Sequence, residues 1–235
     1  MTPGDPPPAM LELRGVTYRY PGERRPALDG VSLRIGAGEI VGITGPNEAG
    51  KSTLCLVAAG LAPASVGGEL AGQVLVGGES VAGRPAWEIA SRVGIVFAEP
   101  AGQLSGVSDT VLAEVAFGPV NLGLPAAESR ARAEGTLERL GIDGLADRHP
   151  NRVSGGQQQL VAIASMLAME PRALVLDEPV AELDPDGRRL VREALRALAQ
   201  AGTAIFVTEH DLDFLGALCH RVLAIDGGRV TERAA

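Results

Sequence analysis

Five short segments of the chain are rich in Val, Ile and Leu and mostly do not alternate between apolar and polar positions. This pattern is typical of strands buried on both faces of a parallel sheet. The segments are residues 38–44, 92–97, 173–177, 203–208 and 221–226. Stretches of helical character lie between them, at residues 51–61, 156–169, 187–201 and 211–218. Because strands alternate with helices, the pattern predicts an α/β fold built on a mostly parallel sheet.

Two other regions depart from this alternation. Residues 11–20, 31–35 and 73–76 look like strands, but turn residues instead of helices separate them, which predicts an N-terminal antiparallel sheet packed on the parallel one. Residues 98–153 contain no buried-strand pattern. Two helical stretches, 110–122 and 126–140, lie there on either side of Pro125. We therefore expect an inserted helical subdomain over about 98–153.

Composition is that of a globular protein with one core. The chain has 235 residues, of which 46% are hydrophobic and 21% charged. Residues 11–235 are predicted to form a single domain, and residues 1–10, with four prolines and no signal-like run, a disordered lead-in. No apolar run approaches the roughly 20 residues of a membrane-spanning helix. The chain is accordingly expected to be soluble and to stay in the cytosol.

Charge and cysteine usage exclude some functions. The formal net charge is -8 and only 3% of residues are aromatic. Nucleic-acid binding needs clustered Lys and Arg or stacking aromatic residues, so we expect no nucleic-acid partner. Cys55 and Cys219 lie far apart among apolar residues, which predicts free buried thiols and neither a disulfide nor a metal site.

One loop carries the pattern of a phosphate-binding site. Residues 45–53 read GPNEAGKST, between a predicted strand and a predicted helix. Glycines let backbone N–H groups face phosphates, and the helix N-terminus adds favourable partial charge. Lys51 is expected to reach the β- and γ-phosphates, Ser52 to bind Mg²⁺ and Thr53 to bond the α-phosphate of ATP. The predicted nucleotide-binding residues of the loop are Gly45, Pro46, Asn47, Glu48, Ala49, Gly50, Lys51, Ser52 and Thr53.

The loop alone leaves several interpretations open. A chance glycine-rich turn is one, and kinases, GTPases, helicases and transport ATPases are others. A second motif narrows the choice, since residues 174–179 read LVLDEP, an apolar strand that ends in two acids. Asp177 can hold Mg²⁺ and Glu178 can polarise an attacking water. Two adjacent acids at a strand end are, taken alone, also typical of the start of a solvated loop.

A third motif stands shortly before the acid pair. Residues 153–157 read VSGGQ just ahead of a predicted helix. Together with GPNEAGKST and LVLDEP, this resembles the ATP-binding cassette family, whose signature is usually LSGGQ. The resemblance implies a P-loop NTPase core with a RecA-like parallel sheet. It also implies that the ATP held by one protomer is contacted by the signature of the other, through Ser154, Gly155, Gly156 and Gln157. A serine N-cap with a flexible glycine pair is a compatible structural interpretation.

Further matches follow in the family's order. Residues 181–185 read AELDP and resemble the D-loop, which implies a place for Asp184 at the nucleotide interface. His210 matches the switch histidine that contacts the γ-phosphate, so the implied catalytic set is Glu178, His210 and Lys51. Tyr20 matches the aromatic residue that stacks on adenine, with Tyr18 as a weaker substitute. His210 could also be a structural histidine and Tyr20 a packing residue of its strand.

Within the family, YPGERRPALDGVSL near the start and VAFGPVNLGLP at residues 115–125 look most like the energy-coupling-factor ATPases. These serve importers of vitamins and of cobalt or nickel ions. The resemblance implies a membrane scaffold partner, a substrate-binding membrane subunit, and a second ATPase that is either identical or different. It places the chain peripherally, on the cytoplasmic face of the cell membrane.

Two positions depart from the family pattern. Ala98 stands where the family has a glutamine that touches Mg²⁺ and the attacking water, and Gln103 could take that place only through a rearranged loop. Glu99 would add negative charge beside the phosphates. Glu48 stands where glycine is more common, so its side chain is expected to point to solvent. We therefore expect ATP to bind and to be hydrolysed, with slowed turnover or altered coupling.

Two other functions remain open. A soluble cassette protein acting in translation or DNA repair is one, although such proteins usually carry tandem cassettes, long inserts or basic arms. The other is a regulatory subunit that binds ATP but scarcely hydrolyses it, which Ala98 keeps possible.

Overall fold

The non-alternating apolar runs form a six-stranded sheet at the centre of the molecule. The structure is a computed structural model that describes residues 9–232. Neighbouring strands are parallel except at one edge, where the last two form an antiparallel hairpin. In spatial order the strands are β10 (Arg229–Glu232), β9 (Arg221–Asp226), β3 (Ile40–Thr44), β8 (Ala204–Thr208), β7 (Ala173–Asp177) and β6 (Val93–Val96). The prediction of an α/β fold with a mostly parallel sheet is confirmed.

A second, antiparallel sheet covers one side of this core. Its strands in spatial order are β2 (Leu28–Gly36), β1 (Ala9–Arg19), β4 (Glu69–Val76) and β5 (Glu79–Ser80). One hydrophobic cluster joins the two sheets, and it includes Leu11 and Leu33 of the antiparallel sheet with Val41 and Phe206 of the parallel sheet. The predicted N-terminal antiparallel sheet is therefore present and packs as expected.

The first strand begins earlier than predicted. Ala9 is already part of β1 and pairs with Gly36, and Met10 follows it in the strand. These two residues were assigned to the lead-in over residues 1–10. The pairing with β2 orders them in spite of the prolines that come before. The remainder of that lead-in, residues 1–8, lies outside the described residues.

Seven α-helices and three short 3-10 helices complete the part of the chain that the structure describes. The α-helices are α1 (Lys51–Ala58), α2 (Ala86–Ala90), α3 (Val111–Asn121), α4 (Ala126–Arg139), α5 (Gly155–Ala168), α6 (Pro185–Gln200) and α7 (Leu212–Leu218). Helices α3, α4 and α5 pack on one another, and their apolar residues belong to the second hydrophobic cluster, together with Leu176 and Leu195. Residues 98–153 contain α3 and α4 and no strand, as predicted.

Side-chain caps fix where four of these helices begin. In each case an oxygen of the residue before the helix accepts a hydrogen bond from an amide in the first turn, which satisfies a donor that has no partner within the helix. The capping residues are Thr110 for α3, Ser154 for α5, Asp184 for α6 and Asp211 for α7. Asp211 directly follows His210, so the cap of α7 lies next to the candidate site described below.

Three elements were missed by the prediction: β5, α2 and β10. All three are shorter than six residues and none shows a clear apolar period, so local pattern does not reveal them. β10 exists because it pairs with β9 across the turn at Gly227 and Gly228. Within residues 9–232 the structure contains no helix with the length and apolarity that crossing a bilayer demands.

Candidate active site

The phosphate-binding loop joins the end of β3 to the start of α1. Its two glycines are required by space and by backbone conformation. A Cβ atom at Gly45 would lie 2.2 Å from the backbone oxygen of Ile225, and one at Gly50 would lie 2.8 Å from that of Ala27. Gly50 also has a φ of 107°, in the region that favours glycine. The loop can therefore pass close to its neighbours and turn into the helix at Lys51.

Lys51 lies inside this loop. Its side chain is 6% exposed, and Nζ donates hydrogen bonds of 3.1 Å to the backbone oxygens of Gly45 and Pro46. The ammonium group and the N-terminus of α1 place positive charge at the same point, which suits a phosphate group. Glu178 Oε1 lies 3.6 Å from Nζ, so the same lysine faces the predicted catalytic acid.

Glu48 has an unusual backbone, which explains the departure noted in the sequence. Its φ is 63°, a left-handed conformation that glycine adopts without strain and other residues adopt rarely. The side chain is exposed, as we expected from charge repulsion. The loop therefore keeps its shape with glutamate at this position.

An open cleft of about 390 Å³ lies over the loop. It is lined by Tyr20, Ala27, Asn47, Glu48, Gly50, Lys51, Ser52, Thr53 and Glu178. The hydroxyl groups of Tyr20 and Thr53 lie 3.1 Å apart, so the aromatic ring is fixed at the edge of the cleft. Tyr18 is fully buried, and its hydroxyl donates to the backbone oxygen of Gly67 at 2.7 Å. Tyr18 therefore cannot replace Tyr20 as a stacking surface.

The two acids of LVLDEP follow the end of β7 and have different environments. Asp177 is 5% exposed, and its Oδ1 accepts a hydrogen bond of 2.6 Å from the hydroxyl of Thr208 on β8. Glu178 has a φ of 49°, and its N–H donates to the backbone oxygen of Thr208 at 3.0 Å. This left-handed conformation is strained for a side chain of this size, and such strain concentrates at functional sites.

The Glu178 carboxylate lies near two nitrogen atoms, one from a lysine and one from a histidine. Its Oε1 is 3.1 Å from Nε2 of His210 and 3.6 Å from Nζ of Lys51. His210 follows β8, whose last residue pairs with the last residue of the neighbouring β7. The carboxyl ends of β3, β7 and β8 thus bring the three predicted catalytic side chains together, at the edge where parallel sheets bind their ligands.

Oxygen ligands for Mg²⁺ are available beside this group. Asp177 supplies a buried carboxylate and Ser52 an exposed hydroxyl at the first turn of α1. Mg²⁺ prefers such hard oxygen ligands and commonly completes its shell with water and phosphate oxygens. The donor set of these two residues therefore fits Mg²⁺.

Glu209 is a site residue that the sequence did not reveal. It is 3% exposed, and its two carboxylate oxygens accept hydrogen bonds of 3.1 Å from the amides of Val180 and His210. Burial raises the pKa of Glu209 above its ordinary value. This carboxylate fixes the backbone that presents Glu178 and His210. Its only sequence signal was an acid at the end of a buried strand, directly before the histidine.

The VSGGQ segment caps its own helix in this structure. Ser154 Oγ accepts from the amide of Gln157 at 3.3 Å, and Gln157 Oε1 accepts from the amide of Ser154 at 3.0 Å. This reciprocal capping box is the structural interpretation allowed above. Ser154, Gly155, Gly156 and Gln157 do not line the cleft of their own chain. Their predicted contact with ATP in a second protomer stays a prediction.

Asp184 likewise caps a helix, since its Oδ1 accepts from the amide of Gly187 at 2.7 Å. In the first turn beyond it, Arg188 Nε donates to the backbone oxygen of Leu183 at 2.9 Å, and Nη1 lies 2.7 Å from Asp211 Oδ2. Arg188 therefore connects the predicted D-loop to the loop that follows His210. The role of Asp184 toward nucleotide stays a prediction.

The loop after β6 holds Ala98 in an exposed position. Gln103, considered above as its replacement, does not line the cleft. Its Oε1 accepts from the amide of Phe97 at 2.9 Å, and its Nε2 donates to the backbone oxygen of Ile95 at 2.8 Å. In this conformation Gln103 binds the end of β6 and contributes no ligand to the site.

Both cysteines are free, as predicted, and Cys55 is buried, whereas Cys219 is only half-buried. Burial raises the pKa of Cys55 well above its ordinary value, and burial raises the pKa of Cys219 to about 12. Neither thiol is therefore ionised near neutral pH.

Comparison with known proteins identifies the family. A family model described as ABC transporter matches residues 28–181. The energy-coupling factor transporter ATP-binding protein EcfA of Methanothermobacter thermautotrophicus is 41% identical over 224 residues, which cover 94% of this chain and 69% of that protein. The cobalt import ATP-binding protein CbiO of Syntrophus aciditrophicus is 40% identical, over 95% of this chain and 77% of that protein.

Solved structures agree with this. The cbiO1 protein of Clostridium perfringens, described as part of the ABC transporter complex cbiONQ, superposes with a TM-score of 0.81 at 34% identity, covering 95% of this chain and 87% of that one. The bacterial cassette MJ0796, solved as a dimer, gives a TM-score of 0.83 at 27% identity, covering 96% and 100%. A dimeric MJ0796 structure also represents a post-hydrolysis state with ADP and phosphate. The chain therefore belongs to the ABC transporter family and is an ATPase of that family, with energy-coupling-factor and cobalt-import proteins among its relatives.

Proposed function

We propose that this chain is the ATP-hydrolysing subunit of an energy-coupling-factor importer that carries a metal ion or a vitamin across the cell membrane. The observation that carries the proposal is the position of the Glu178 carboxylate, 3.1 Å from His210 and 3.6 Å from Lys51 beside the nucleotide cleft. An acid, a histidine and a lysine in this arrangement suit phosphoryl transfer to water.

Binding of ATP is assigned to the cleft over the loop. Tyr20 stacks on the adenine ring, Lys51 contacts the β- and γ-phosphates, and Thr53 contacts the α-phosphate. The loop from Gly45 to Thr53 surrounds the phosphates with backbone N–H groups. Ser52 and Asp177 would hold Mg²⁺, which would neutralise phosphate charge.

Hydrolysis is assigned to the residues at the ends of β7 and β8. Glu178 orients or deprotonates the attacking water, and His210 steadies the γ-phosphate. Lys51 stabilises the negative charge that develops on the transferred group. Glu209 keeps the two loops in register through its bonds to the amides of Val180 and His210.

The complete site is composite. Ser154, Gly155, Gly156, Gln157 and Asp184 contact the ATP of a second cassette, which is either an identical or a different chain. Two observations support this: the VSGGQ residues lie outside the cleft of their own chain, and the similar cassette MJ0796 forms a dimer. Closure of the two cassettes on ATP and reopening after hydrolysis would drive the transport cycle.

The membrane partners are a scaffold subunit and a substrate-binding subunit, docked on the helical subdomain from the cytoplasmic face. Support comes from relatives described as energy-coupling-factor and cobalt-import proteins, and from cbiO1, described as part of a complex. The ATPase does not contact the transported solute, so metal ion and vitamin remain equal candidates.

Ala98 favours one second candidate, a regulatory subunit that binds ATP but turns it over slowly beside an active partner. The test is purification of the tagged chain from membranes of its native source, with identification of co-purifying proteins and measurement of phosphate release. The main proposal predicts integral membrane partners and hydrolysis that depends on Glu178 of this chain. Hydrolysis insensitive to Glu178→Gln indicates the regulatory subunit, and absence of membrane partners indicates a soluble ABC ATPase.

A further inference from the structure

Gln159 connects the signature helix to the strand end at which Ala98 replaces the expected glutamine. It lies on α5, two residues beyond VSGGQ, and is 2% exposed. Its Nε2 donates a hydrogen bond of 3.4 Å to the backbone oxygen of Phe97, the residue before Ala98. One side chain of α5 thus reaches the main chain at the base of this loop.

The carbonyl oxygen of the same amide has no partner. Among the residues described, 9–232, two buried side-chain polar atoms lack a hydrogen bond: Gln159 Oε1 and Arg19 Nε. Buried amide oxygens are nearly always paired, because an unpaired one retains the cost of leaving water. The bond from Nε2 is also long. The Gln159 amide is therefore incompletely satisfied in this conformation.

The neighbouring loop offers donors for that oxygen. The Phe97 amide is occupied by Gln103 Oε1 at 2.9 Å. The next amides along the loop, those of Ala98 and Glu99, donate no hydrogen bond to any described residue. The loop also begins next to β7, whose end carries Asp177 and Glu178. A small movement of this exposed segment would bring an amide to Gln159.

We propose that Gln159 is a positioning residue that couples bound ATP to the signature helix. When ATP occupies the cleft, the loop of residues 98–102 moves and one of its amides donates a hydrogen bond to Gln159 Oε1. The side chain at position 98 cannot form this link because it is alanine, so the main chain forms it. The inference rests on the proposed coupling of the ATP site to the helical subdomain.

A substitution separates this role from a purely structural one. Gln159→Met keeps the length of the side chain and removes the unpaired oxygen together with one long hydrogen bond. Folding stability should therefore be unchanged or higher, whereas the response of the loop to ATP should be lost. Gln158→Met is the matched control, since Gln158 is the half-buried neighbour of the buried Gln159 on α5 and its Nε2 also donates a long bond, of 3.3 Å, but to the backbone oxygen of Pro150.

Hydrogen exchange with and without Mg-ATP, in protein that carries Glu178→Gln so that ATP persists, tests the proposal. We expect ATP to slow exchange in the peptides covering residues 45–53 and 97–104, in the parent and in Gln158→Met. In Gln159→Met, ATP should still slow exchange in residues 45–53. In residues 97–104 the ATP-dependent protection should fall at least about threefold, the effect expected for the loss of one modest hydrogen bond.

A second readout uses proteins with Glu178 intact. Gln159→Met should lower kcat about three- to tenfold and raise KM for ATP by no more than about threefold, because the lost hydrogen bond forms only in the ATP-bound state and is a modest one. Three results would overturn the proposal: unchanged protection of residues 97–104 in Gln159→Met, no protection of these residues by ATP in the parent, or a lowered melting temperature that accounts for the loss of activity. Protection of residues 45–53 reports ATP binding separately. If these residues are protected and one of the three results is found, the Gln159 proposal fails and the proposed ATPase function does not.

Discussion

The carboxylate of Glu178 lies 3.1 Å from Nε2 of His210, and the backbone on both sides fixes this contact. Glu178 is held in a left-handed conformation with φ of 49°, and its N–H donates to the backbone oxygen of Thr208. The His210 amide is in turn bound by the buried carboxylate of Glu209. Both side chains are thus positioned before ATP arrives, as electrostatic preorganisation requires.

Replacement of Lys51 by alanine should weaken ATP binding by about 10- to 100-fold, because a charge-assisted contact with phosphate is lost. Equilibrium binding of a fluorescent ATP analogue measures this, with Arg24→Ala as a control for loss of positive charge.

Lys51 is also the only lysine of the sequence, so an amine-reactive reagent labels only this side chain and the N-terminus. ATP should slow labelling of Lys51; equal rates with and without ATP would contradict its assignment.

Restoring glutamine at position 98 should raise kcat severalfold, since an amide that contacts Mg²⁺ and the attacking water is regained. The measurement is phosphate release and transport in the assembled complex. Ala101→Gln, in the same loop, serves as the control. Unchanged rate and transport in Ala98→Gln would show that the missing side chain does not limit turnover.

Arg188 should affect turnover more than stability. It bonds the backbone oxygen of Leu183 and forms an ion pair with Asp211, but both charged groups are about one-third exposed. The ion pair therefore contributes little to folding, on the order of 1 kcal/mol or less. Because it connects the loops around the site, Arg188→Gln should lower kcat about fivefold with KM nearly unchanged.

Arg189→Gln is the matched control for this prediction. Arg189 is the neighbouring residue on α6 and forms an exposed ion pair with Glu193. Unlike Arg188, it forms this ion pair within its own helix and not with Leu183 or Asp211. Steady-state ATPase kinetics of the two variants decide the question. Equal rates in Arg188→Gln and Arg189→Gln would remove any role of Arg188 in positioning.

The cysteines should be inert in the folded protein. Burial raises the pKa of Cys219 to about 12 and that of Cys55 well above its ordinary value, so at pH 8 the thiolate of Cys219 is roughly one part in 10⁴. A thiol reagent should react with the unfolded protein in guanidinium over about 100-fold faster than with the native protein, because a much larger fraction of each thiol is then ionised. Rapid stoichiometric labelling of native protein would contradict the buried environments.

The same burial predicts a loss of stability at high pH. The unfolded thiols ionise with a pKa near 9.0, whereas the folded thiols stay protonated to higher pH. The folded state therefore binds more protons above pH 9.0, and the free energy of unfolding should fall as pH rises beyond that value. The free energy of unfolding should be measured for the wild type and for Cys219→Ala from about pH 8 to about pH 10.5. It should fall more steeply with pH in the wild type than in Cys219→Ala.

Much of the fold could be predicted from sequence because the parallel strands are buried on both faces. Residues 173–177 and 221–226 were predicted with the bounds that β7 and β9 have. The grouping of Lys51, Glu178 and His210 was also predictable, since parallel strands bring their carboxyl ends to one edge.

Contacts set by tertiary structure could not be predicted. Glu209 bonds the amide of Val180, 29 residues earlier, and no local pattern encodes that contact. The partner of Gln159 is 62 residues away in sequence. Glu48 was recognisable as a departure, but the reason, a φ of 63°, is a property of the folded loop.

The catalytic role of Glu178 is tested most directly by the rate of ATP hydrolysis. Phosphate release is measured for the membrane complex isolated through a tag on this chain, with wild type and Glu178→Gln, and with the exposed Glu193→Gln as control. We expect Glu178→Gln to lower hydrolysis about 100-fold or more, because a catalytic base is lost, and we expect the variant still to bind Mg-ATP. Glu193→Gln should retain the wild-type rate. Hydrolysis by Glu178→Gln near the wild-type rate would show that Glu178 is not the catalytic base.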